Sequence, residues 1–272
     1  MSLFIASLNS GSNGNCYYIG NEREAVLVDA GISCRETEKR MAKLGLSMHK
    51  VKAIFVSHEH SDHINGVTVL AKKYKLPVYI TLHTLQNGRL ILDDNQVVPF
   101  LAYQQICIGD LCITAFPKQH DAIEPHSFMI SYGDIKVGVF TDIGEACEHV
   151  IFHFGQCHAA FLETNYDDDM LNNGRYPYHL KQRIRGSRGH LSNKQALDIF
   201  TGHKPAYMSH LLLSHLSKDN NDPQLVQALF EQYADGVHII VASRYAETAV
   251  YHINGSTQPS ELDATRLQFT LF

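Results

Sequence analysis

The chain has 272 residues, 44% of them hydrophobic, and carries 23 Lys and Arg against 28 Asp and Glu for a net charge of −5. That is chain enough to bury a large core as one or two domains. It carries too little positive charge to draw nucleic acid or an anionic membrane globally, so any polyanion site has to be a local patch. The apolar start, Met1 to Leu8, is short, has no basic flank and runs into Asn9-Ser10-Gly11; it reads as a first strand and not as a signal peptide. Apolar runs at 3–8, 16–19, 25–28 and 51–56, bounded by Gly, Asn or charge, predict strands. Between the last two, 36–44 suits an amphipathic helix that Gly45 ends. Residues 64–74 place Ile64, Val67, Leu70, Ala71 and Tyr74 on one helical face, and Lys75-Leu76-Pro77 stops that helix before a strand at 78–81. Runs at 106–108 and 111–116 flank Gly109-Asp110, and 128–132 and 136–140 flank Gly133-Asp134; both read as hairpins. Beyond them come a strand at 159–162, helices at 193–200 and 223–233, strands at 206–209, 238–241 and 248–253, and a polar tail. No apolar stretch reaches the ~20 residues of a membrane span. The expected architecture is α/β, two sheets sandwiched between helical layers, as one domain over 1–272.

Six cysteines, at 16, 34, 107, 112, 147 and 157, form no C-x-x-C pair and sit mostly in apolar runs. They read as buried free thiols of a reducing compartment, hence a cytoplasmic protein. Histidine is the unusual residue, with 17 copies against 13 each of Phe and Tyr. Four potential ligands stand in Ser57-His58-Glu59-His60-Ser61-Asp62-His63, directly after one apolar strand and before a helix. Imidazole and carboxylate at that density suit zinc, iron or manganese. Asp29, His120, Asp142 and His215 follow at the ends of other apolar strands, as a site along a sheet edge requires. His126 is a rival to His120.

A second pattern is one of charge. No acid lies between Asp169 and Asp198, whereas Arg175, Lys181, Arg183, Arg185, Arg188 and Lys194 do, with Tyr176, Tyr178 and His179 among them. A basic stretch with aromatics on an otherwise acidic chain suits a phosphate backbone and stacked bases.

The H-x-H-x-D-H motif with a later His, Asp and His resembles the metallo-β-lactamase superfamily. Ser10-Gly11-Ser12-Asn13-Gly14-Asn15, His120-Asp121-Ala122, Phe140-Thr141-Asp142-Ile143-Gly144, Glu163-Thr164-Asn165-Tyr166-Asp167, Gly189-His190-Leu191-Ser192-Asn193 and the segment from His215 to Asn221 are similar to its YycJ/WalJ group, described as bacterial 5′→3′ exonucleases of double-stranded DNA. The resemblance implies a four-layer αββα sandwich of two mixed sheets and a hydrolase with two divalent metal ions, Zn, Mn or Fe. It implies His58, His60 and His120 on the first ion, Asp62, His63 and His215 on the second, and Asp142 between them. Asp29 would orient a ligand imidazole, and His120 is favoured over His126. Two ions about 4 Å apart share a hydroxide nucleophile and neutralise phosphoryl charge. Asp62, Glu163 and His190 would carry catalysis; the last two resemble the Glu and His of tRNA 3′-processing nucleases, where the His protonates the leaving oxygen. Ser12, Asn13, Arg175, Lys181, Arg183, Arg185 and Arg188 would meet the substrate, DNA above all; no membrane and no stable protein partner is expected. The alternatives are a hydrolase of a small cyclic phosphodiester or thioester, a diiron redox protein, which His60 argues against, and a binding protein with a dead site.

Overall fold

The computed structural model describes residues 1–255. In chain order these form β1 (Ser2–Asn9), β2 (Cys16–Gly20), β3 (Ala25–Val28), α1 (Cys34–Lys43), β4 (Val51–Phe55), α2 (Ser61–Ile64), α3 (Val67–Tyr74), β5 (Val78–Tyr79), α4 (Leu82–Asn87), β6 (Val97–Val98), β7 (Gln105–Ile108) and β8 (Leu111–Pro117). There follow β9 (His126–Tyr132), β10 (Ile135–Phe140), α5 (Glu148–Phe154), β11 (Ala159–Glu163), α6 (Asp168–Asn173), α7 (Tyr178–Arg185), α8 (Asn193–His203), β12 (His210–Ser214), α9 (Pro223–Glu231), β13 (His238–Val241) and β14 (Tyr251–Asn254). The polar tail expected after the last strand, and with it the end of the expected 1–272 domain, lies outside the described residues.

Among the described residues the strands form two seven-stranded mixed sheets, ordered β14-β1-β2-β3-β4-β5-β6 and β13-β12-β11-β10-β9-β8-β7. Each has the same plan. The pairings β14·β1, β1·β2 and β2·β3 are antiparallel and those from β3 to β6 parallel. In the second sheet β7 to β10 pair antiparallel and β10 to β13 parallel. The inner faces share one core, in which Tyr17, Val28 and Phe55 of the first sheet meet Phe128, Val139 and Phe161 of the second. The outer face of the first sheet buries Leu27, Ile54 and Val56 against Met41, Leu70 and Ala71 of α1 and α3. That of the second buries Phe140, Leu162 and Leu213 against Val150, Phe200 and Phe230 of α5, α8 and α9. Parallel strands buried on both faces read as continuous apolar runs, which is how Leu211-Leu212-Leu213 is built. This is the fold of two mixed sheets flanked by helices that the sequence led one to expect.

Four expectations need correction. The helix at 64–74 is broken in two, because Gly66 docks on the neighbouring loop. Its N–H donates to Ala30 O at 2.7 Å, and a Cβ there would stand 2.0 Å from Ile32 O. The strand expected at 206–209 is a turn closed by Met208 N–H to Pro205 O at 3.0 Å, and the strand begins at His210. Cys107 and Cys112 are a disulfide, not free thiols; the Gly109-Asp110 turn sets them directly opposite each other across β7 and β8. The last strand starts at Tyr251 and not at 248, since Thr248 is turned inward to accept from Ser7 N–H at 3.0 Å. No helix among the described residues is long and apolar enough to cross a membrane.

Candidate metal centre

The parallel strands β3, β4, β10, β11 and β12 end along one edge of the two-sheet stack, and the segments leaving those ends hold most of the polar residues; His120 follows β8 and His190 follows α7. Asp29, Asp142 and His215, all just past a strand, have φ of 60°, 54° and 56°. Few non-glycine residues adopt that left-handed conformation, and Asp and His do so more readily than most. Their backbones turn sharply off the sheet and aim the side chains at one point.

The imidazoles converge with their protons directed outward. His63 Nδ1–H donates to Asp29 Oδ2 at 2.7 Å, and Asp29 is itself fixed by Ser57 N–H and Oγ–H, both at 2.8 Å. With its proton given to Asp29, Ser57 Oγ accepts from His58 Nδ1–H at 2.9 Å. His120 Nδ1–H donates to Gly189 O at 3.0 Å, and His215 Nδ1–H to Glu163 Oε1 at 2.9 Å. Each arrangement leaves an Nε2 lone pair facing inward. His58 Nε2 then lies 3.0 Å and His120 Nε2 3.4 Å from His60 Nδ1. Asp62 Oδ2 lies 3.5 Å from both His63 Nε2 and His215 Nε2. Asp142 stands between the two groups, with Oδ2 2.9 Å from His63 Nε2 and Oδ1 3.7 Å from His120 Nε2.

This set fits divalent cations. The buried atoms Asp142 Oδ2 and His215 Nε2 have no hydrogen-bond partner among the described residues. Leaving such atoms unpaired is costly unless a cation completes them. The charge states agree. Burial holds His58 well below the usual imidazole range and His120 at about 4, so both offer lone pairs. Burial opposes charge on His63 and His215 too. In the bare site, however, Asp142, Asp29 and Asp62 raise His63 well above its ordinary value, and Asp142, Asp62 and Glu163 raise His215 to about 10. Cations entering the site would take the place of those protons.

Glu163 is fully buried at the end of β11. Its Oε1 accepts from His190 Nδ1–H at 2.8 Å as well as from His215, and its Oε2 from Ile143 N–H at 2.7 Å and Leu191 N–H at 3.2 Å. Burial alone would raise its pKa; the His190 charge and these hydrogen bonds outweigh that and bring it to about 2. His190 itself is 22% exposed. With His60, Asp62 and Asp121 it borders the open side of the cluster.

His126, the rival to His120, is elsewhere, stacked on Phe100 with Nδ1–H on Glu124 O at 2.8 Å. Of the basic stretch, Lys181, Arg183 and Arg185 lie on α7, which buries no side chain. Arg183 Nε–H donates to Asp121 Oδ2 at 2.6 Å, Lys181 to Asn172 O at 2.7 Å and Arg188 to His120 O at 3.2 Å; Arg185 meets the Asn172 side chain. Arg175 is exposed. Ser12 and Asn13 are exposed in the loop after β1, where Asn13 Nδ2–H donates to Arg244 O at 2.9 Å.

Three neighbours were not found from the sequence. Asn15 Nδ2 lies 3.1 Å from Asp62 Oδ2 and 3.0 Å from His63 Nε2. Lys118 is buried behind Asp142, with Nζ–H on Thr141 O at 2.6 Å. Asp121 Oδ1 lies 3.3 Å from His120 Nε2. Asn15 and Asp121 stand inside motifs quoted above, and that is the one signal available for them; a lone Lys just past a strand carries none.

Residues 24–215 match a family described as the beta-lactamase superfamily domain. The chain is 35% identical over 239 residues to exodeoxyribonuclease YycJ of Bacillus anthracis, covering 85% of this chain and 89% of that one. It is 32% identical over 223 residues to exodeoxyribonuclease WalJ of Streptococcus pneumoniae, covering 80% and 83%. Among solved structures, the metallo-beta-lactamase fold protein YhfI of Bacillus subtilis superposes with a TM-score of 0.72 at 16% identity, over 93% of this chain and all of that one.

Proposed function

The chain belongs to the beta-lactamase superfamily and, within it, to the group of YycJ and WalJ; it is a metal-dependent hydrolase, and we propose that it cuts phosphodiester bonds in nucleic acid, as a 5′→3′ exonuclease on double-stranded DNA. The observation that carries this reading is the Glu163–His190 pair beside the ligand cluster, since a strand cut at phosphorus needs a proton donor for its departing oxygen. Two relatives named as exodeoxyribonucleases support the substrate class.

In this reading His58, His60 and His120 would hold one divalent ion and Asp62, His63 and His215 a second, with Asp142 a ligand of the shared set. Bound there, the ions supply an activated water and neutralise charge on the phosphoryl group. The chain's own residues do the rest. Asp29, Ser57 and Glu163 fix the ligand tautomers. Asn15 holds Asp62 in place, and Lys118 steadies the Thr141-Asp142 turn. As the P–O bond to the leaving strand breaks, His190 gives its Nε2 proton to the departing oxygen while Glu163 balances the imidazolium. Helix α7 works as a wall beside the opening. Its Lys181, Arg183 and Arg185 already hold Asn172 and Asp121, so Arg175, in the segment before the helix, is left as the cation for the backbone, with Arg188, Ser12 and Asn13 on the rim. The protein acts as one domain, with Zn, Mn or Fe as the metal.

The test is product analysis on a defined 5′-phosphorylated duplex, with the metals exchanged. Mononucleotides released from the 5′ end are expected. A duplex left intact under every metal, with turnover of a small cyclic phosphodiester or thioester, moves the assignment to the small-substrate hydrolase.

A further inference from the structure

Of the segment from His215 to Asn221, only His215 belongs to the ligand cluster. Its continuation, through Ser217 and Lys218, walls a cavity of about 330 Å³ whose far side is Ser243 and Arg244. Ser10 also lines this cavity and ties it to the metal centre. Ser10 Oγ accepts from the backbone N–H of His215 at 2.7 Å, and Ser10 N–H donates to Ser243 O at 3.1 Å. The cavity therefore lies one residue from a candidate ligand.

Its lining has two cations and no acid. Arg244 forms no ion pair and its guanidinium donates no hydrogen bond among the described residues, and its Nη1 is buried without a partner. A guanidinium left that way forfeits charged hydrogen bonds that an anion would supply. Its backbone is held in place, since Asn13 Nδ2–H donates to its carbonyl, and the loop packs so closely that a Cβ added at Gly11, φ +137°, would stand 3.3 Å from Arg244 Cβ. Glu247, the acid nearest Arg244 in sequence, pairs with Lys43, and Asp219, beside Lys218, accepts from the Tyr176 hydroxyl at 3.0 Å. Lys218 also faces a neighbouring groove that holds Arg175, Tyr176 and Asp219.

We propose that this cavity is a phosphate seat: Arg244 and Lys218, with the Ser217 and Ser243 hydroxyls, hold a second phosphate of the strand whose scissile phosphate lies at the metals. Planar N–H pairs suit phosphate oxygens, and hydroxyls complete the shell. The inference rests on the nuclease reading above. The seated group is either the 5′-terminal monophosphate or an internal backbone diester.

The experiment compares wild type, Arg244→Gln and Lys218→Gln, each loaded with metal, on the same duplex ending in a 5′-phosphate or a 5′-hydroxyl. Bis-p-nitrophenyl phosphate serves as a diester too small to reach both sites. Arg244→Gln is expected to raise the duplex KM by about tenfold with kcat within about threefold, as loss of one charged hydrogen bond does. The salt slope of duplex binding should flatten by about one unit. A KM rise confined to the phosphorylated end identifies the terminal phosphate, and a rise on both ends the backbone diester. Unchanged KM and slope in both variants overturn the seat. So does a parallel fall on bis-p-nitrophenyl phosphate, which would mean that Arg244 only supports the loop at His215. If wild type cuts no duplex, the nuclease reading has failed by itself. Calorimetric titration with thymidine 5′-monophosphate then decides, with about tenfold weaker binding in Arg244→Gln expected and equal binding overturning the seat. Should Arg244→Gln not fold, Lys218→Gln, altered at an exposed side chain, carries the same comparisons.

Discussion

Asp142 is the residue on which both halves of the cluster depend, since its carboxylate lies near His63 of one group and His120 of the other. Asp142→Ala is expected to lose bound metal and hydrolysis together, measured by metal content after dialysis and by turnover of bis-p-nitrophenyl phosphate; full metal content in an inactive variant would remove Asp142 from the ligand set. His190→Ala separates the two properties. It should retain metal and lose about 10²–10⁴ in kcat on substrates with poor leaving groups, the range of a general acid. Loss of metal in that variant would make His190 a ligand. Glu163→Gln should do damage of both kinds, because one carboxylate serves His190 and His215. Metal affinity is expected to fall about 10–100-fold, as for other residues that orient ligands, and an unaltered affinity would refute the link to His215. The seven candidate ligands were legible in the sequence because motif spacing and strand ends mark them. Asn15 and Lys118 were not, since a role that consists of touching Asp62 or backing Thr141 appears only once distant segments are folded together.

Helices α1, α8 and α9, which carry buried faces, were read from the sequence, whereas α7, which has none, and α4, which buries only Thr84, were missed; so was α5, two turns long, although it buries Val150 and Phe154. The disulfide and the break at Gly66 escaped for a related reason, because both depend on register and on backbone approach, to which hydrophobic pattern is blind. Backbone approach gives a sharper prediction at Gly31. A Cβ there would lie 1.6 Å from the carbonyl of Asp62 and 2.7 Å from Asn15 N. Gly31→Ala is therefore expected to cost about 3 kcal/mol or more by forcing two loops apart, and to lower metal content as Asp62 is displaced. Urea unfolding and metal analysis check it; a variant as stable and as metal-rich as wild type would mean that the loops yield freely.

The two sheets share the work of the site. One supplies His58, His60, Asp62 and His63 from the loop after β4 and the short helix α2, and the other supplies His120, Asp142 and His215. Ions held across that seam stabilise the folded state by mass action, by about 4 kcal/mol at a thousandfold excess over Kd. Stripping them with a chelator is expected to lower Tm by about 10 °C for a chain of this size, as read by calorimetry on stripped and reloaded protein; an unmoved Tm with the metal verifiably gone would show that the sheets hold the site without it. The two-sheet architecture was legible from alternating strands and helices, but the matching plan of the two sheets was not, because it is a likeness of pairing and not of residues. The backbone at the strand ends has a last consequence. Asp29, Asp142 and His215 sit where glycine or asparagine would be easier on the chain. A laboratory selection that rewarded heat resistance alone would be drawn to those positions, and each replacement it favoured there would cost the enzyme its chemistry. Durability and activity compete at the same three residues, so a screen for tougher variants has to score turnover in every round.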